Sequence, residues 1–345
     1  MSSTRCWIFI ERPLPMSDVG EPVLTVCIVS YNASEDVRRG LSSIRDFAGV
    51  DTEVIVVDNN STDDTRQMIA EEFPEVRLVH NPANEGYSPA MSLAMARARG
   101  RYVLAFSQDA ELRPGAMPAL VGFMETHPDA GACGPRTIDG EGQLVTTLHH
   151  PSLMLGIWTQ LIPVKSWLRR HVGVRRWLTR LFPNSSGMTS DYGTSHRVAV
   201  LDGGCILFRR SALNAIGSLD PRLMQGPDDY DSCFRLHRAG FEVWYVAEAE
   251  IVHRTYVKDE LHQLSVSYLR TQLPQWSYLY SKYHGRFWVR IFSFSVWLLN
   301  TKWRIEAARR YGGQSTHVAA LREASMFCLH PDRYAREYRA LWAKN

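Results

Sequence analysis

Two carboxylates, Asp109 and Glu111, stand directly after the apolar run 102–106 and are the first candidates for chemistry. The run has the composition of a buried strand, and Pro114 and Gly115 then turn the chain away from it. Carboxylate oxygens are hard ligands that suit Mg²⁺ or Mn²⁺, and a cation held there could clamp a diphosphate. The alternative is a polar turn in which Glu111 precedes a helix, where the helix dipole favours an acid.

A second acidic cluster, Asp228, Asp229 and Asp231, opens a run with helical spacing. An Asp at a helix start is common as a cap, but three acids in four positions exceed what capping needs. Like charges this close raise the pKa of some carboxyl groups toward the range of a usable base. His253 follows the apolar pair Ile251-Val252 at a predicted strand end, and its simpler interpretation is an ordinary core or surface histidine.

Strands and helices must bring these candidate residues together. The sequence shows strand patterns that alternate with helix patterns. Apolar, β-branched runs at 23–29, 53–57, 76–79 and 102–106 predict buried strands. Segments with helical periodicity separate the runs, and the first of these predicts a helix over 34–47. The rhythm predicts an α/β fold with a mainly parallel, Rossmann-like central sheet flanked by helices.

Each of the four predicted strands ends in hydrogen-bonding residues. These ends are Ser30-Tyr31-Asn32, Asp58-Asn59-Asn60, His80-Asn81-Pro82 and Ser107-Gln108-Asp109. Because the carboxyl ends of parallel strands share one edge of the sheet, the pattern predicts a ligand crevice there. The sequence has no Gly-x-Gly-x-x-Gly after the first strand and no Gly-x-x-x-x-Gly-Lys-Ser/Thr loop, which disfavours a dinucleotide site and a P-loop. A nucleotide held by side chains and a metal ion remains.

The order of these motifs resembles that of family 2 glycosyltransferases, and most closely their rhamnosyltransferase-like branch. The similarity runs over about residues 23–255 and is carried by Val29-Ser-Tyr-Asn32, Val56-Val-Asp-Asn-Asn-Ser-Thr-Asp63, Asn84-x-Gly-Tyr87, Gln108-Asp-Ala-Glu111, Leu201-Asp-Gly-Gly-Cys-Ile-Leu-Phe-Arg-Arg210, Asp228-Asp-Tyr-Asp-Ser-Cys-Phe-Arg235, Arg238-Ala-Gly-Phe-x-Val-x-Tyr245 and Val252-His253. The resemblance implies a GT-A fold, a nucleoside-diphosphate sugar donor and a divalent cation, Mg²⁺ or Mn²⁺. The branch implies inversion at the anomeric carbon.

Matched position by position, the resemblance implies a role for each site residue. Asp229 corresponds to the catalytic base, with Asp228 beside it. Asp109 corresponds to the metal-binding acid, and Glu111 and His253 are further candidates for the metal or diphosphate site. Gly203-Gly204 corresponds to a small-residue turn near the donor sugar and acceptor. Asp58 corresponds to the acid that contacts the base, within a nucleotide-binding set of Ser30, Tyr31, Asn32, Asp58, Asn60, Asn84, Gly86 and Gln108.

The chain departs from the family's usual motifs at several positions. Ser107-Gln108 stands where Asn-Pro usually precedes the metal acid, and Asp228-Asp229 replaces the usual Glu-Asp pair. Ala90-Met91 occupies helix positions that usually hold Gly and Asn, and Arg254-Thr-Tyr256 stands where small residues are usual. The donor is therefore open between dTDP-rhamnose and a UDP-sugar. The same departures are the argument for an alternative, a catalytically inactive glycan-binding or scaffold protein on this fold.

The active alternative is a glycosyltransferase that extends a cell-surface polysaccharide on a glycan or lipid-linked acceptor. A third class, the nucleotidyltransferases, also uses acids and Mg²⁺ on an α/β sheet. Those enzymes usually need a Gly-rich loop with a basic residue after the first strand, and Ser30-Tyr31-Asn32 supplies neither.

The composition is that of a globular protein able to bury a core, with 345 residues of which 45% are hydrophobic and 22% charged. A net charge of +3 is too small to indicate a nucleic-acid partner. The 6 cysteines include no Cys-x-x-Cys pair, which argues against a zinc site or a disulfide scaffold and fits the cytoplasm. The sequence contains no uninterrupted apolar run of about 20 residues, the length that spans a membrane.

The motifs divide the chain into three parts. Residues 1–22 are predicted to be an N-terminal extension, with Met16 as a candidate true start, and 23–255 to be the catalytic domain. An insertion at 150–200 interleaves Trp with Arg and Lys, which predicts either a helical flap or a peripheral contact with anionic lipid at the inner face of the plasma membrane. The helices expected in 256–345 could pack on the catalytic domain, form a homodimer or lie in a membrane interface.

Overall fold

The computed structural model describes residues 20–145, 147–149, 192–201, 204–217, 219–223, 227–254, 266–313, 318–319 and 321–322. Met16, Gly203 and most of the 150–200 insertion lie outside the described residues. The strands are β1 Leu24–Ser30, β2 Thr52–Asp58, β3 Arg77–His80, β4 Tyr102–Phe106, β5 Ala110–Leu112, β6 Ala130–Ile138, β7 Leu148–His149, β8 His196–Arg197, β9 Val200–Leu201, β10 Cys205–Arg209 and β11 Glu242–His253. The helices are α1 Ser34–Phe47, α2 Thr65–Glu72, α3 Tyr87–Met95, α4 Ala116–Thr126, α5 Arg210–Ile216, α6 Asp228–Arg238, α7 Val266–Tyr283 and α8 Arg286–Tyr311.

One mixed sheet organises the molecule, in the order β3-β2-β1-β4-β10-β6-β11-β5, with β8 paired to β11. The first half is parallel: β1 pairs with β2 and β4, and β2 pairs with β3. Strand β10 then enters antiparallel between β4 and β6, and β11 runs parallel to β6. The four strands expected from apolar runs are therefore neighbours in the parallel part, and the later strands extend the sheet on one side.

The buried strands and helix faces follow from the sequence pattern. All seven residues of β1 are buried, because a parallel strand in this position is covered on both faces of the sheet. Helix α1 buries Val37, Leu41 and Ile44, the positions that its periodicity predicted. Two apolar clusters result, one on each face of the sheet. The four described cysteines, Cys27, Cys133, Cys205 and Cys233, are free and buried in these clusters, as small apolar residues would be.

The C-terminal helices α7 and α8 pack on the catalytic fold. Leu279 of α7 and Phe292 of α8 belong to the same buried cluster as Val29 and Ile206 of the sheet. Tyr280 stacks on Phe292 with ring centroids 4.0 Å apart and planes 6° from parallel. Within the part of the chain described, no helix is both long and apolar enough to cross a lipid bilayer.

Candidate active site

The carboxyl ends of the parallel strands meet at one edge, as the sequence predicted. In the strand register Ser30 lies beside Asp58, and Asp58 lies beside His80. The next strand end joins them through Gln108, whose Oε1 accepts a hydrogen bond of 3.0 Å from the backbone N–H of Tyr31. Four segments that are far apart in sequence therefore meet at one polar edge of the sheet, which is called the crevice.

Asp58 is the most deeply buried acid of this crevice, with 0% of its surface exposed. Its Oδ1 accepts a hydrogen bond of 3.1 Å from the backbone N–H of Ser61 and lies 3.3 Å from His80 Nδ1 and 3.6 Å from Arg66 Nε. Among the residues that the structure describes, its Oδ2 has no hydrogen-bond partner, and neither does the buried hydroxyl of Ser30 on the neighbouring strand. Buried polar atoms are almost always paired in folded proteins, so two such atoms on neighbouring strand ends make this edge a candidate ligand site.

The turns around Asp58 are held by asparagine side chains. Asn32 has a positive φ of 48°, which asparagine tolerates, and its Oδ1 accepts a hydrogen bond of 2.8 Å from the backbone N–H of Thr62. Asn60 also has a positive φ, of 69°. Asn84 Oδ1 accepts a hydrogen bond of 2.8 Å from Asn59 Nδ2 and another of 3.0 Å from the Gly86 N–H. Asn32 and Asn84 thus shape the crevice through their contacts with neighbouring loops.

Gly86 directly precedes helix α3 and has a backbone conformation that favours glycine. Its φ of 88° lies in the left-handed region that residues with a side chain rarely adopt. The conformation lets the chain turn from the asparagine network directly into the first turn of α3 at Tyr87. The motif Asn84-x-Gly-Tyr87 is therefore one structural unit, and it places the first turn of α3 at the crevice.

Asp109 and His253 form a carboxylate–imidazole pair beside this crevice. His253 Nε2 lies 3.0 Å from Asp109 Oδ1, and the Ser107 hydroxyl donates a hydrogen bond of 2.5 Å to the same oxygen. Strand pairing brings the two together, because His253 at the end of β11 lies opposite Ala110 at the start of β5. A Cβ on Gly204 would stand 3.0 Å from His253 Nδ1, so a side chain there would require the imidazole to shift by a few tenths of an ångström.

Glu111 faces away from that pair. It forms salt bridges with Arg254 and, at 3.5 Å, with Arg39 Nε. Within the described ranges, no group of three His, Cys, Asp or Glu side chains could hold a metal ion. The Asp109–His253 pair on its own still fits a cation such as Mn²⁺, which accepts both oxygen and imidazole nitrogen and commonly takes further ligands from substrate phosphates and water.

Helix α6 carries the second acidic cluster into the same region. Asp228 is 7% exposed and Asp229 is half-buried. Burial, together with the negative charges of Asp228 and Asp229, raises the pKa of Tyr87 well above its usual range. Tyr87 is therefore a protonated phenol near both acids, and it joins the start of α3 to the start of α6.

Asp231, the third acid of the cluster, has a different environment. It is fully buried, and its carboxylate contacts Lys282 Nζ at 2.7 Å, Tyr283 Oη at 2.5 Å and Arg235 Nε at 2.9 Å. Burial, and then its hydrogen bond with Asp231, raises the pKa of the Tyr283 phenol. Asp231 therefore anchors α6 to α7, and it is the acid that helix capping left unexplained.

Lys282 also contacts a second buried acid, Asp220, at 2.8 Å. Asp220 accepts hydrogen bonds from Tyr278 Oη at 3.0 Å and from Arg222 Nε at 2.9 Å. Burial alone would raise the pKa of Asp220, but the hydrogen bonds from Arg222 and Lys282 outweigh it and hold that pKa below its usual value. Sequence reasoning did not identify this Asp220–Lys282–Asp231 bridge. The available signal was a lysine four residues after Tyr278, one turn further along a helix expected in 256–345.

The comparisons with known proteins agree with this geometry. Residues 25–217 match the model for Glycosyl transferase family 2. The N-acetylglucosaminyl-diphospho-decaprenol L-rhamnosyltransferase of Mycobacterium tuberculosis (strain ATCC 25618 / H37Rv) is 30% identical over 244 residues, which cover 67% of this chain and 76% of that protein. The pre-mycofactocin glycosyltransferase of the same species (strain CDC 1551 / Oshkosh) is 25% identical over 260 residues, covering 72% of this chain and 47% of that protein. The chain therefore belongs to glycosyl transferase family 2 and is a glycosyltransferase.

Solved structures agree on the fold. The mannosyltransferase PcManGT from Pyrobaculum calidifontis, in complex with GDP-Man and Mn²⁺, superposes with a TM-score of 0.51 at 17% identity, covering 94% of this chain and 86% of that one. GalNAc-T7 with UDP, GalNAc and Mn²⁺ gives a TM-score of 0.52 at 15% identity, covering 94% of this chain and 57% of that one. The GT-A fold expected from the motifs is confirmed.

Proposed function

We propose that this chain is an inverting, divalent-metal-dependent glycosyltransferase. It moves a sugar, from dTDP-rhamnose or a UDP-sugar, to a hydroxyl of a glycan or lipid-linked acceptor in cell-surface polysaccharide synthesis. The observation that carries the proposal is a pair of buried atoms, Asp58 Oδ2 and Ser30 Oγ, that make no hydrogen bond within the described part of the chain and lie at the crevice beside Asp109 and His253. Such atoms suit the donor groups of a nucleotide.

Each of the site residues has a separate role in the proposed reaction. Asp58 and Ser30 bind the nucleotide, and Asp109 with His253 holds a cation and the diphosphate. A cation bound there would supply positive charge to offset the charge that develops on the leaving diphosphate. Asp229 accepts the proton of the attacking hydroxyl, a contribution of roughly 10²–10⁴ in rate. Asp228 and the protonated Tyr87 border the acceptor and orient its hydroxyl for in-line attack.

The acceptor assignment draws on the mycobacterial relative, whose name describes rhamnosyl transfer to an N-acetylglucosaminyl-diphospho-decaprenol. Its similarity covers 76% of that protein, so both acceptor and donor are reasonable first substrates for this chain. Buried free thiols at Cys27, Cys133, Cys205 and Cys233 are compatible with a reducing compartment. We therefore expect the enzyme to work in the cytoplasm, at the inner face of the plasma membrane.

A donor panel tests the proposal. The melting temperature of the full chain is measured with dTDP-, UDP- and GDP-sugars, each with Mn²⁺, with Mg²⁺ or with a chelator. A ligand that binds only the folded chain stabilises it, by about 2.7 kcal/mol at one hundred times its Kd. We expect a dTDP- or UDP-sugar to stabilise the protein only when the metal is present, and the same donor to be slowly hydrolysed.

The alternative, an inactive glycan-binding or scaffold protein, has one structural argument in its favour. In the described part of the chain no group of three potential metal ligands is assembled, and Glu111 is engaged by two arginines. That alternative predicts no hydrolysis of any nucleotide sugar in Mn²⁺. It predicts stabilisation by oligosaccharides instead, whether or not a metal is present.

A further inference from the structure

One side of helix α8 is apolar and exposed along its length. Phe287, Phe294 and Ile305 are 67%, 54% and 50% exposed. Ile291 and Leu298 are half-buried and fall on the same side, because their spacing from these residues returns to one helical face. These five residues are called the outer face of α8. Large exposed apolar patches on soluble domains mark interaction surfaces.

The opposite side of α8 is already used for packing. Phe292, Val296 and Leu299 are 0%, 1% and 2% exposed, and Phe292 stacks on Tyr280 of α7. The helix is therefore held firmly on the catalytic fold by one apolar side and presents a second one outward. Packing within the protein explains the inner side and leaves the outer face without a role.

Basic residues border the outer face. Arg290, Lys302 and Arg309 are exposed, and helical spacing puts Arg290 on one side of the stripe and the other two on the opposite side. Glu306, 3.9 Å from Lys302, is the only acid in the sequence between 286 and 311. An apolar stripe with a basic border is the pattern of a helix that lies in the interface of an anionic bilayer.

We infer that the outer face of α8 lies on an anionic membrane surface, with its apolar side chains at the acyl boundary and its basic border among the headgroups. A second copy of the chain fits less well, because a two-fold contact through this face would bring two basic borders together. The inference rests on α8 and extends the proposed function, since a lipid-linked acceptor is found at such a surface.

Co-sedimentation of the full chain with vesicles tests the inference. Vesicles of phosphatidylcholine with phosphatidylglycerol are expected to bind the protein, and pure phosphatidylcholine or high salt to weaken binding. The double variant Phe287→Ser, Phe294→Ser should lose roughly tenfold or more in affinity for each phenylalanine. The matched control is Phe47→Ser, Leu144→Ser, which removes two hydrophobic residues that are 38% and 39% exposed elsewhere and should bind as the parent does.

The outcomes separate this inference from the proposed function. Donor hydrolysis in solution should be equal in parent and α8 variant, because neither phenylalanine touches the crevice. A parent chain that ignores anionic vesicles, or an α8 variant that binds them equally well, overturns the inference. A clearly lower melting temperature of the variant would make the face an internal contact, and a change from dimer to monomer would make it a contact between copies. Vesicle binding without any donor hydrolysis would instead count against the proposed function alone.

Discussion

The two sides of the crevice handle buried negative charge in opposite ways. On the strand side Asp58 is fully buried, yet among the described residues its Oδ2 accepts no hydrogen bond, and the side-chain nitrogens of His80 and Arg66 lie 3.3 Å and 3.6 Å from its Oδ1. On the side of α6, Asp231 is equally buried but is surrounded by Lys282, Arg235 and Tyr283. Asp231 Oδ2 also accepts no hydrogen bond among the described residues, but it lies 2.9 Å from Arg235 Nε and its charge is offset there. The first arrangement therefore leaves capacity for a ligand, whereas the second has close cations already in place.

This difference gives a criterion for separating the acids of a ligand site from those of the framework. A buried charge that lacks partners costs several kcal/mol, so a protein keeps one only where something else offsets it. A buried charge with close cations and hydrogen bonds forms part of the framework. By this criterion we assign Asp58 to the proposed ligand site, whereas Asp231 holds α6 to α7 and Asp220 holds the segment 219–223 to α7.

The largest expected effect is that of Asp109→Ala. Removing this carboxylate should abolish both metal-dependent donor binding and turnover, because it deletes the oxygen beside His253. The loss of metal-dependent donor binding is measured by calorimetry of nucleotide-sugar binding with and without Mn²⁺. Glu111→Ala is the matched comparison, since Glu111 is already paired with Arg254 and Arg39 and its loss should leave metal-dependent binding in place. Equal loss in both variants would return Glu111 to the metal site.

Next in size is Asp229→Asn, which tests the base. Asparagine keeps the size of the side chain and also suits a helix start, so stability and donor binding should change little. Transfer should fall by roughly 10²–10⁴ because the proton acceptor is gone. Asp228→Asn is the control and should be milder in a single-turnover transfer assay. A dead Asp228→Asn beside a fully active Asp229→Asn would move the base to the neighbouring position.

Asp58→Asn tests the strand side of the crevice, where we propose that the nucleotide binds. The change removes the charge that faces the nucleotide, and the affinity for the donor should fall roughly ten- to hundredfold, as for loss of a charge-assisted hydrogen bond. Stability should change little, because asparagine keeps the oxygen that accepts the hydrogen bond from the Ser61 N–H. Asp63→Asn at the same edge is the control and should leave donor affinity as in the parent. A large stability loss in Asp58→Asn would instead make Asp58 a framework residue.

Lys282→Met probes the framework side. Asp220 and Asp231 would each lose a close cation while keeping other partners, so the free energy of unfolding should fall by about 1–3 kcal/mol. Because α6 carries Asp229, kcat should fall severalfold while the donor KM stays constant, and Lys282→Arg should restore part of the rate. The comparison is Lys302→Met, which removes an exposed ion pair on α8 and should lower the free energy of unfolding by about 0.5 kcal/mol or less. Unchanged kcat in Lys282→Met would show that α6 does not depend on α7.

The smallest effect concerns pH. The pKa of Asp220 is lower in the folded chain than its ordinary value of 3.8, so Asp220 contributes stability above that value and loses it as pH falls through the folded pKa. The melting temperature of the parent should therefore exceed that of Asp220→Asn at neutral pH, and the gap should narrow in acid. A gap that widens as pH falls would contradict the ion-pair account of this residue.

Much of the fold could be predicted from local pattern. Helix α1 begins and ends where its periodicity placed it, and the strand runs at the start of the chain form the parallel half of the sheet. The strand ends that the motifs marked do share one edge, where Gln108 contacts Tyr31. Packing both faces of a parallel strand demands a continuous apolar run, and such runs are visible in sequence because they do not depend on distant residues.

The different roles of the acids could not be predicted from local pattern. Asp109 and Glu111 look equivalent in sequence, and so do Asp228, Asp229 and Asp231. Their partners, His253, Arg254 and Lys282, come from strands and helices far along the chain. Motif spacing therefore located the acids but did not distinguish a ligand site from an ion pair.

The sequence by itself determined the alternation of strands and helices, the polar strand ends and the acidic start of α6, since each of these depends on neighbouring residues. Only the tertiary structure decided that β10 enters antiparallel between β4 and β6, that His253 meets Asp109, and that Lys282 bridges Asp220 and Asp231. The physical reason is that burial and charge pairing depend on what the folded chain brings close. A carboxylate acquires its role from the cations, donors and solvent around it, and these are set by contacts between segments remote in sequence.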